Sequence, residues 1–532
     1  MFIDRGRGFQ GKKLIHTILC GVILCGWFCA GAGEIVRPFE QAGGFEPAND
    51  IDRIVLKGLQ DKGMEPANLC SDTVFVRRVY LDVTGTLPEP QAVRAFLDST
   101  ASDKRAALIE TLLKDENYAK YWSLKWCDVL RVKAEFPINL WPNAVQAYHR
   151  WVYDALDTNM PYDKFARELL TSSGSNFRVP PVNFYRAMQG TEPRAIAAAV
   201  GLTFMGVRTD KWTDGQRAAM EVFFSRICYK KTAEWKEEIV CLNPEPCEPF
   251  DTTFPDGVKV HVKSYEDPRA VFADWLIRAE NEWFTMNIVN RIWAWLLGRG
   301  IIEEPDDIRP DNPAVYPGVL DYLSKELVKS GYDLRTVYRL ILNSRVYQQS
   351  SIPQGDVVKA EAVFACYPVR QLDAEVLIDA LCWISGTRES YSSPIPEPFT
   401  FIPEEQRTIE LADGSITSQF LEMFGRPARD TGFVSERDND PTDKQRLHML
   451  NSTHVQDKLD KSFRLRGLAK TAKGNTKVVI NQTYLNVLSR WPTPAETTEA
   501  SKYFGTKGIK PTEAVTDLAW ALVNSKEFLY RH

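Results

Sequence analysis

Histidine is scarce in this chain, with six among 532 residues. Cysteine is commoner, at ten, yet no two stand as Cys-x-x-Cys, which excludes a thioredoxin-type dithiol and a zinc ribbon. There is no Gly-x-Ser-x-Gly, no Walker loop and no His-Glu-x-x-His. A classical serine hydrolase, a P-loop enzyme and a zincin therefore lack their carriers. Nor is there an excess of positive charge: 65 basic residues face 70 acidic ones, a formal net charge of −5, so no global field draws the chain to nucleic acid. What is present is globular in proportion, 44% hydrophobic and 25% charged, which excludes disorder, collagen and a multispan membrane protein. A chain of this length buries a core without disulfides or metals.

The N-terminus reads as an export signal over residues 1–32. Arg5, Arg7, Lys12 and Lys13 form a basic start, Leu14 to Ala30 is apolar apart from His16 and Thr17, and Ala30-Gly31-Ala32 is a small-x-small cleavage site. The apolar stretch falls short of the roughly 20 residues a span needs, so the expectation is cleavage without a stable membrane span. Cleavage removes four basic residues and one acidic one from the formal −5, leaving −8. The expected protein is exported, periplasmic or extracellular. Of its seven remaining cysteines, Cys241 and Cys247 lie in a Pro-rich stretch where an oxidising compartment could close a bridge. Cys127 and Cys382 fall in apolar helical patterns and read as core thiols.

The fold class expected is mainly α, multi-helical, as two packed helical regions with a small β element between them. Apolar residues recur at three- and four-residue steps through 104–113, 118–130, 144–156, 162–170, 193–205, 284–297, 441–461 and 512–529, among others. The boundaries read 45–235 for the first region, 236–264 for the β-containing connection and 265–532 for the second. In the connection, Val258, Val260 and Val262 alternate after an Asp256-Gly257 turn, as in a hairpin. Residues 386–416, rich in Pro, Ser and Thr, read as a long loop. A short pattern recurs at Leu112–Tyr118, Ile341–Tyr347 and Leu522–Phe528, in which an Asp or Ser starts a turn and an aromatic returns onto the preceding apolar pair.

Two stretches carry a resemblance. Val76-Arg-Arg-Val-Tyr-Leu-Asp-Val-Thr-Gly-Thr-Leu-Pro88, with the helix from Tyr118 to Trp126, resembles domain of unknown function 1549. Trp283-Phe-Thr-Met-Asn-Ile-Val-Asn-Arg-Ile-Trp-Ala-Trp-Leu-Leu-Gly-Arg-Gly300 resembles the start of its usual partner, domain of unknown function 1553. So do Phe424-Gly-Arg-Pro-Ala-Arg429 and the ending Asn524-Ser-Lys-Glu-Phe528. The resemblance implies a secreted protein of planctomycete type, of a family often fused to cytochrome c-like modules. It implies no reaction. Many such relatives carry a Cys-x-x-Cys-His-like segment after Phe-Leu-Gly-Val-Arg, and Cys-x-Cys-Glu-Arg after Gly-Arg-Pro. Here Phe204-Met-Gly-Val-Arg208 runs through Thr209 into Asp210-Lys-Trp-Thr213, and Phe433-Val-Ser-Glu-Arg437 stands in the second place. Haem c attachment needs two thiols and a histidine, so no haem c, no other cofactor and no metal is expected. Loss of disulfides replaced by packing explains the same absence.

Arg426, Arg429 and Arg437, with Glu436 nearby, form the densest polar constellation in an irregular segment. Forked guanidinium donors suit a sulfate, carboxylate or sugar acid, while an inter-domain ion-pair network is the structural alternative. Asp210, Lys211 and Trp212 form a second cluster of candidate ligand-binding residues, in which an exposed Trp beside charge suits a sugar face. Arg77, Arg78 and Asp82 read as a buried ion network, and Trp283, Trp293 and Trp295 as packing. His448 and His454 are six apart, a spacing that does not place two ligands on one helix face. The function this supports is a non-catalytic exported module binding a surface protein or a polyanionic glycan, with no nucleic-acid partner. The alternatives are an enzyme acting on a carbohydrate or sulfated sugar, whose paired carboxylates the sequence does not single out, and a redox protein like the cytochrome-associated relatives.

Overall fold

A computed structural model describes residues 35–42, 45–471 and 475–532. Residues 1–32, where an export signal is expected, lie outside the described residues with their three cysteines. The fold is mainly α, and one continuous apolar core runs from Ile51 to Phe528. Both helical regions contribute to it. Helix α1 (Asp72–Val83) shows how: capped by Ser71, it is buried on nearly every side, and its two arginines reach across the chain. Arg77 donates to the carbonyls of Val487 (2.8 Å) and Phe528 (3.1 Å), and Arg78 to those of Tyr347 (2.6 Å) and Gln349 (2.9 Å). A buried guanidinium needs its donors taken up, and here backbone carbonyls of the second region take up most of them, leaving Arg77 Nε and Arg78 Nη2 without a partner among the described residues.

Helix α2 (Glu116–Val129) presents Trp122 and Trp126 to Trp295 of helix α3 (Glu282–Leu297), with ring centroids 5.4 and 5.9 Å apart. These tryptophans are packing, as is the buried Trp293, edge-on to Phe364 at 5.3 Å. The recurring short pattern is a capping device at each occurrence. Asp115 accepts from the amide of Asn117 (2.8 Å), Ser344 from that of Tyr347 (3.2 Å) and Ser525 from that of Phe528 (3.2 Å). Tyr118, Tyr347 and Phe528 are buried.

Three helical expectations are interrupted; 512–529 is helical over Pro511–Val523 and again over Lys526–Leu529, parted at the extended Ser525. The stretch 193–205 is an α-helix to Val200, then a wider turn to Met205 that ends on Gly206 with φ of 63°. A Cβ on Gly206 would stand 2.8 Å from Asn287 Oδ1 and 3.1 Å from the Pro305 carbonyl, so only glycine fits. The stretch 441–461 is two helices, Asp443–Asn451 and Thr453–Asp460, broken at the extended Ser452.

Among the described residues, strand is confined to three small antiparallel sheets. β1 (Gly174–Ser175), β2 (Ile227–Lys231) and β3 (Glu238–Leu242) are ordered β1-β3-β2, with Cys228 opposite Cys241. β4 (Phe250–Thr253) and β5 (Lys259–Val262) form the hairpin expected around Asp256-Gly257. β6 (Arg370–Gln371) pairs with β7 (Tyr530–Arg531), fixing the last residues to the middle of the chain. Apart from the two-residue β1, strand begins at Ile227, earlier than the alternation suggests, because β2 is half-exposed and shows no apolar face. Cys241 and Cys247, between which a bridge could close, do not face each other: Cys241 faces Cys228, and Cys247 donates to the Glu248 carbonyl at 3.3 Å. Cys127 is buried, whereas Cys382 stands 3.3 Å from Lys458 Nζ. No helix among the described residues is long and apolar enough to cross a membrane.

Candidate functional site

The three arginines picked out from sequence come together, and each meets a carboxylate from a distant part of the chain. Arg429 lies fully buried, with Nε 2.9 Å from Asp128 Oδ1 and Nη1 donating to the Ala412 carbonyl at 2.7 Å. Arg437 bridges Asp128 (Nη2 to Oδ2, 2.7 Å) and Glu375 (Nη1 to Oε2, 2.7 Å). Arg426 Nε stands 3.3 Å from Glu375 Oε1, out of line for a hydrogen bond, and its Nη1 and Nη2 donate to the Ile416 and Asp413 carbonyls. Glu436 joins none of this. Its carboxylate accepts from the Asp430 amide (2.8 Å) and the Thr431 amide (3.3 Å), bracing its own loop.

The network continues inward. Asp373 accepts from Lys125 (2.9 Å), Arg531 (3.1 Å) and Tyr121 (3.0 Å), and Asp82 from Arg370 (2.8 Å), Tyr347 (2.8 Å) and Tyr367 (3.0 Å). Burial opposes the charge on Glu375, but Arg437 and Arg426 outweigh it and hold the carboxyl down at about 2. Asp373 is likewise held well below the carboxylate range, against its burial, by Lys125, Arg531 and Arg437. Burial, and then Arg437, push the Lys125 ammonium down to about 8. Several cations share Asp373, so Lys125 is the one whose charge is least supported. This arrangement is the inter-domain ion-pair network, with the guanidinium groups facing carboxylates instead of open solvent.

Asp210, Lys211 and Trp212 lie elsewhere. Asp210 and Lys211 are exposed and pair loosely at 3.9 Å, while Trp212 is half-buried against the core. Their neighbour Arg208 links the two clusters: its guanidinium sits 5.2 Å from the centre of the Phe433 ring and also pairs with Glu304 at 2.7 Å. The two places where the family resemblance leads one to expect cysteines are thus neighbours, and an arginine–aromatic contact occupies the contact between them.

A different feature has the character of a binding site. A cleft of about 350 Å³ is lined by Ala134, Glu135, Phe136, Asn139, Trp141, Lys236 and Ile395. That volume is within the range of small-molecule sites. Three remote pieces build it. The loop 133–141 folds back on itself, with Leu140 N donating to the Lys133 carbonyl (3.2 Å) and Asn139 N to that of Glu135 (2.8 Å). It is fixed to the second region where Ala134 N donates to Asp413 (2.9 Å) and Glu135 N to Ser415 (3.0 Å). The turn between β2 and β3 brings Trp235 and Lys236, braced by Glu237, which accepts from Ser175 (2.5 Å) and Thr232 (2.7 Å). The long loop brings Ile395 and Phe399, the latter 5.4 Å from Trp141.

Large aromatics are left in solvent on and beside the lining: Phe136 is 81% exposed, and Trp235, next to Lys236 in the turn, 68%. The Lys236 ammonium lies between two indoles, 5.6 Å from the Trp141 ring centre and 5.5 Å from that of Trp235. Backbone strain concentrates on the same lining. Asn139 (φ 60°), Trp141 (φ 70°) and Lys236 (φ 65°) all adopt positive φ, and Trp141, with ψ of 147°, holds a conformation that belongs almost wholly to glycine. Such strain persists where the surroundings over-determine it, and here it aims an indole and an ammonium into one cleft.

The two histidines whose spacing does not place them on one helix face meet across two helices. His448 and His454, on the two successive helices, stand with ring centres 5.8 Å apart against Phe420, and His454 Nε2 is 2.8 Å from Glu389. No group of three or more metal-ligating side chains is placed to hold an ion among the described residues.

Residues 50–214 match the family model described as PSCyt2, protein of unknown function (DUF1549), and residues 268–504 match PSD1, protein of unknown function (DUF1553). No curated protein and no solved structure matches the chain. The two matches, in that order and on the two regions that share the core, identify the chain as a DUF1549 region followed by a DUF1553 region.

Proposed function

We propose that this protein is an exported binding module that holds an anionic glycan in the aromatic cleft. The observation that carries the reading is the cleft and its edge: one ammonium over the rings of Trp141 and Trp235, with the exposed Phe136, Glu135 and Asn139 on the same lining. Aromatic faces stack on the C–H faces of sugar rings while their surroundings supply hydrogen bonds. A cation between two indoles adds a place for a sulfate or carboxylate. The buried arginines favour the same conclusion by elimination, since their donors are engaged inside the protein. Glu135 is the one carboxylate on the described lining, where glycoside hydrolysis uses two, so binding is the better-supported reading.

Retention of the protein on immobilised chondroitin sulfate, with alginate and dextran alongside, tests this. Chondroitin sulfate and alginate should retain it and dextran should not. Lys236→Asn, which removes the charge but suits positive φ, should weaken retention by about tenfold or more. Failure of both acidic polymers to bind would contradict the reading. We also infer that the mature chain carries no covalent haem, because neither cysteine-bearing segment is present. Protein made in a host with cytochrome c maturation should show no Soret band.

A further inference from the structure

We propose that Cys228 and Cys241 close a cross-strand disulfide that clamps the hairpin carrying Trp235 and Lys236. The two residues are direct partners in the β2–β3 register, and their Sγ atoms lie 3.0 Å apart. The register also fixes the kind of pair they form. Asn243 N donates to the Arg226 carbonyl (2.7 Å) and Thr232 N to that of Glu237 (3.5 Å), so every second pair, Cys228–Cys241 included, is of the hydrogen-bonded kind. In such pairs the Cα atoms stand about 5.5 Å apart, inside the span a disulfide bridges. Both thiols are partly exposed, so an oxidant reaches them. Cys247 is poorly placed to compete, being engaged with the Glu248 carbonyl beyond the end of β3.

The chemistry needs one co-reactant, a disulfide oxidant such as glutathione disulfide or the active disulfide of a thiol oxidase. One cysteine thiolate attacks a sulfur of the oxidant, forming a mixed disulfide and releasing one thiolate. The second cysteine thiolate then displaces the remaining oxidant sulfur and forms the Cys228–Cys241 bond. The two cysteines lose two electrons and two protons, and the oxidant gains both as two thiols. Burial and the neighbouring Cys241 push the Cys228 thiol up to about 11, which makes the reaction slow at neutral pH and does not alter its product.

The bond encloses the turn that presents Trp235 and Lys236 and removes the opening of that hairpin from the accessible motions. It stands independently of any ligand in the cleft. The test is to treat the purified mature protein with glutathione disulfide, block free thiols with iodoacetamide and map the peptides without reductant. The expected product joins the peptides of Cys228 and Cys241 and leaves Cys247 alkylated, and Cys247→Ser should give the same link. Amides of the hairpin should exchange at least about tenfold more slowly in the oxidised protein than in the reduced one. Alkylation of both Cys228 and Cys241 after oxidation, a bond from Cys241 to Cys247, or unchanged amide exchange would overturn the proposal.

Discussion

Arg429 is the residue where a binding role and a structural role differ most sharply in consequence. Its guanidinium is sealed from solvent and paired with Asp128. Replacing it by alanine breaks a buried pair, leaving Asp128 to Arg437 alone and the Ala412 carbonyl without its donor, which costs up to roughly 3–5 kcal/mol, whereas an exposed anion clamp would lose about 0–1 kcal/mol. Thermal melting of Arg429→Ala with and without chondroitin sulfate should therefore show a large loss in both cases. Lys236 has the opposite profile. It is exposed, unpaired by any carboxylate among the described residues, and held at φ of 65°. Lys236→Gly should leave the protein as stable or more so, by about 1 kcal/mol, while weakening glycan retention. Glu375 adds a pH dependence. Its folded pKa of about 2 lies below its ordinary 4.5, so the native state releases this proton first. Its contribution, on the order of 3 kcal/mol, is complete above pH about 4.5 and lost as pH falls toward 2. The urea midpoint should decline through that window, with Asp373 acting in the same direction.

At the level of elements, helices with an apolar period were legible in the sequence, and so was the hairpin that follows Asp256-Gly257. The β2–β3 hairpin was not. β2 buries no residue and β3 only Val240, and the turn holds Lys236 at positive φ where a glycine would have signalled it. The capping devices were readable because each is local: Asp115, Ser344 and Ser525 act within three residues. Ser525→Ala should cost about 1 kcal/mol by freeing the Phe528 amide at the start of the last turn, measurable as a shift in denaturant midpoint. The arginines were legible as a cluster but their partners were not. Asp128 lies 301 positions from Arg429, and Glu375 lies 62 from Arg437, separations that no local pattern encodes. The cleft escaped notice for the same reason, since 133–141, 232–237 and the loop around Ile395 meet only in the folded chain.

For the whole molecule, the consequence is that the two matched regions depend on each other. Arg77, Arg78, Asp128 and Asp373 all have partners across the boundary, and the cleft takes residues from both sides. Calorimetry of the intact chain should show one cooperative transition. Two well-separated transitions would show that the shared network contributes little to holding the regions together. A network of this kind also fixes the cleft, because the loop 133–141 hangs from Asp413 and Ser415, beside the carbonyls that hold Arg426 and Arg429.

The claim on which the account rests is that the aromatic cleft is where an anionic glycan is held. Calorimetric titration of a chondroitin sulfate oligosaccharide into the wild-type protein and into Trp235→Ala tests it most directly. Trp235 is 68% exposed, so its removal should leave the melting temperature unchanged. The account predicts saturable heat for the wild type and binding weaker by about tenfold or more for the variant. Equal affinity in the two proteins would contradict it.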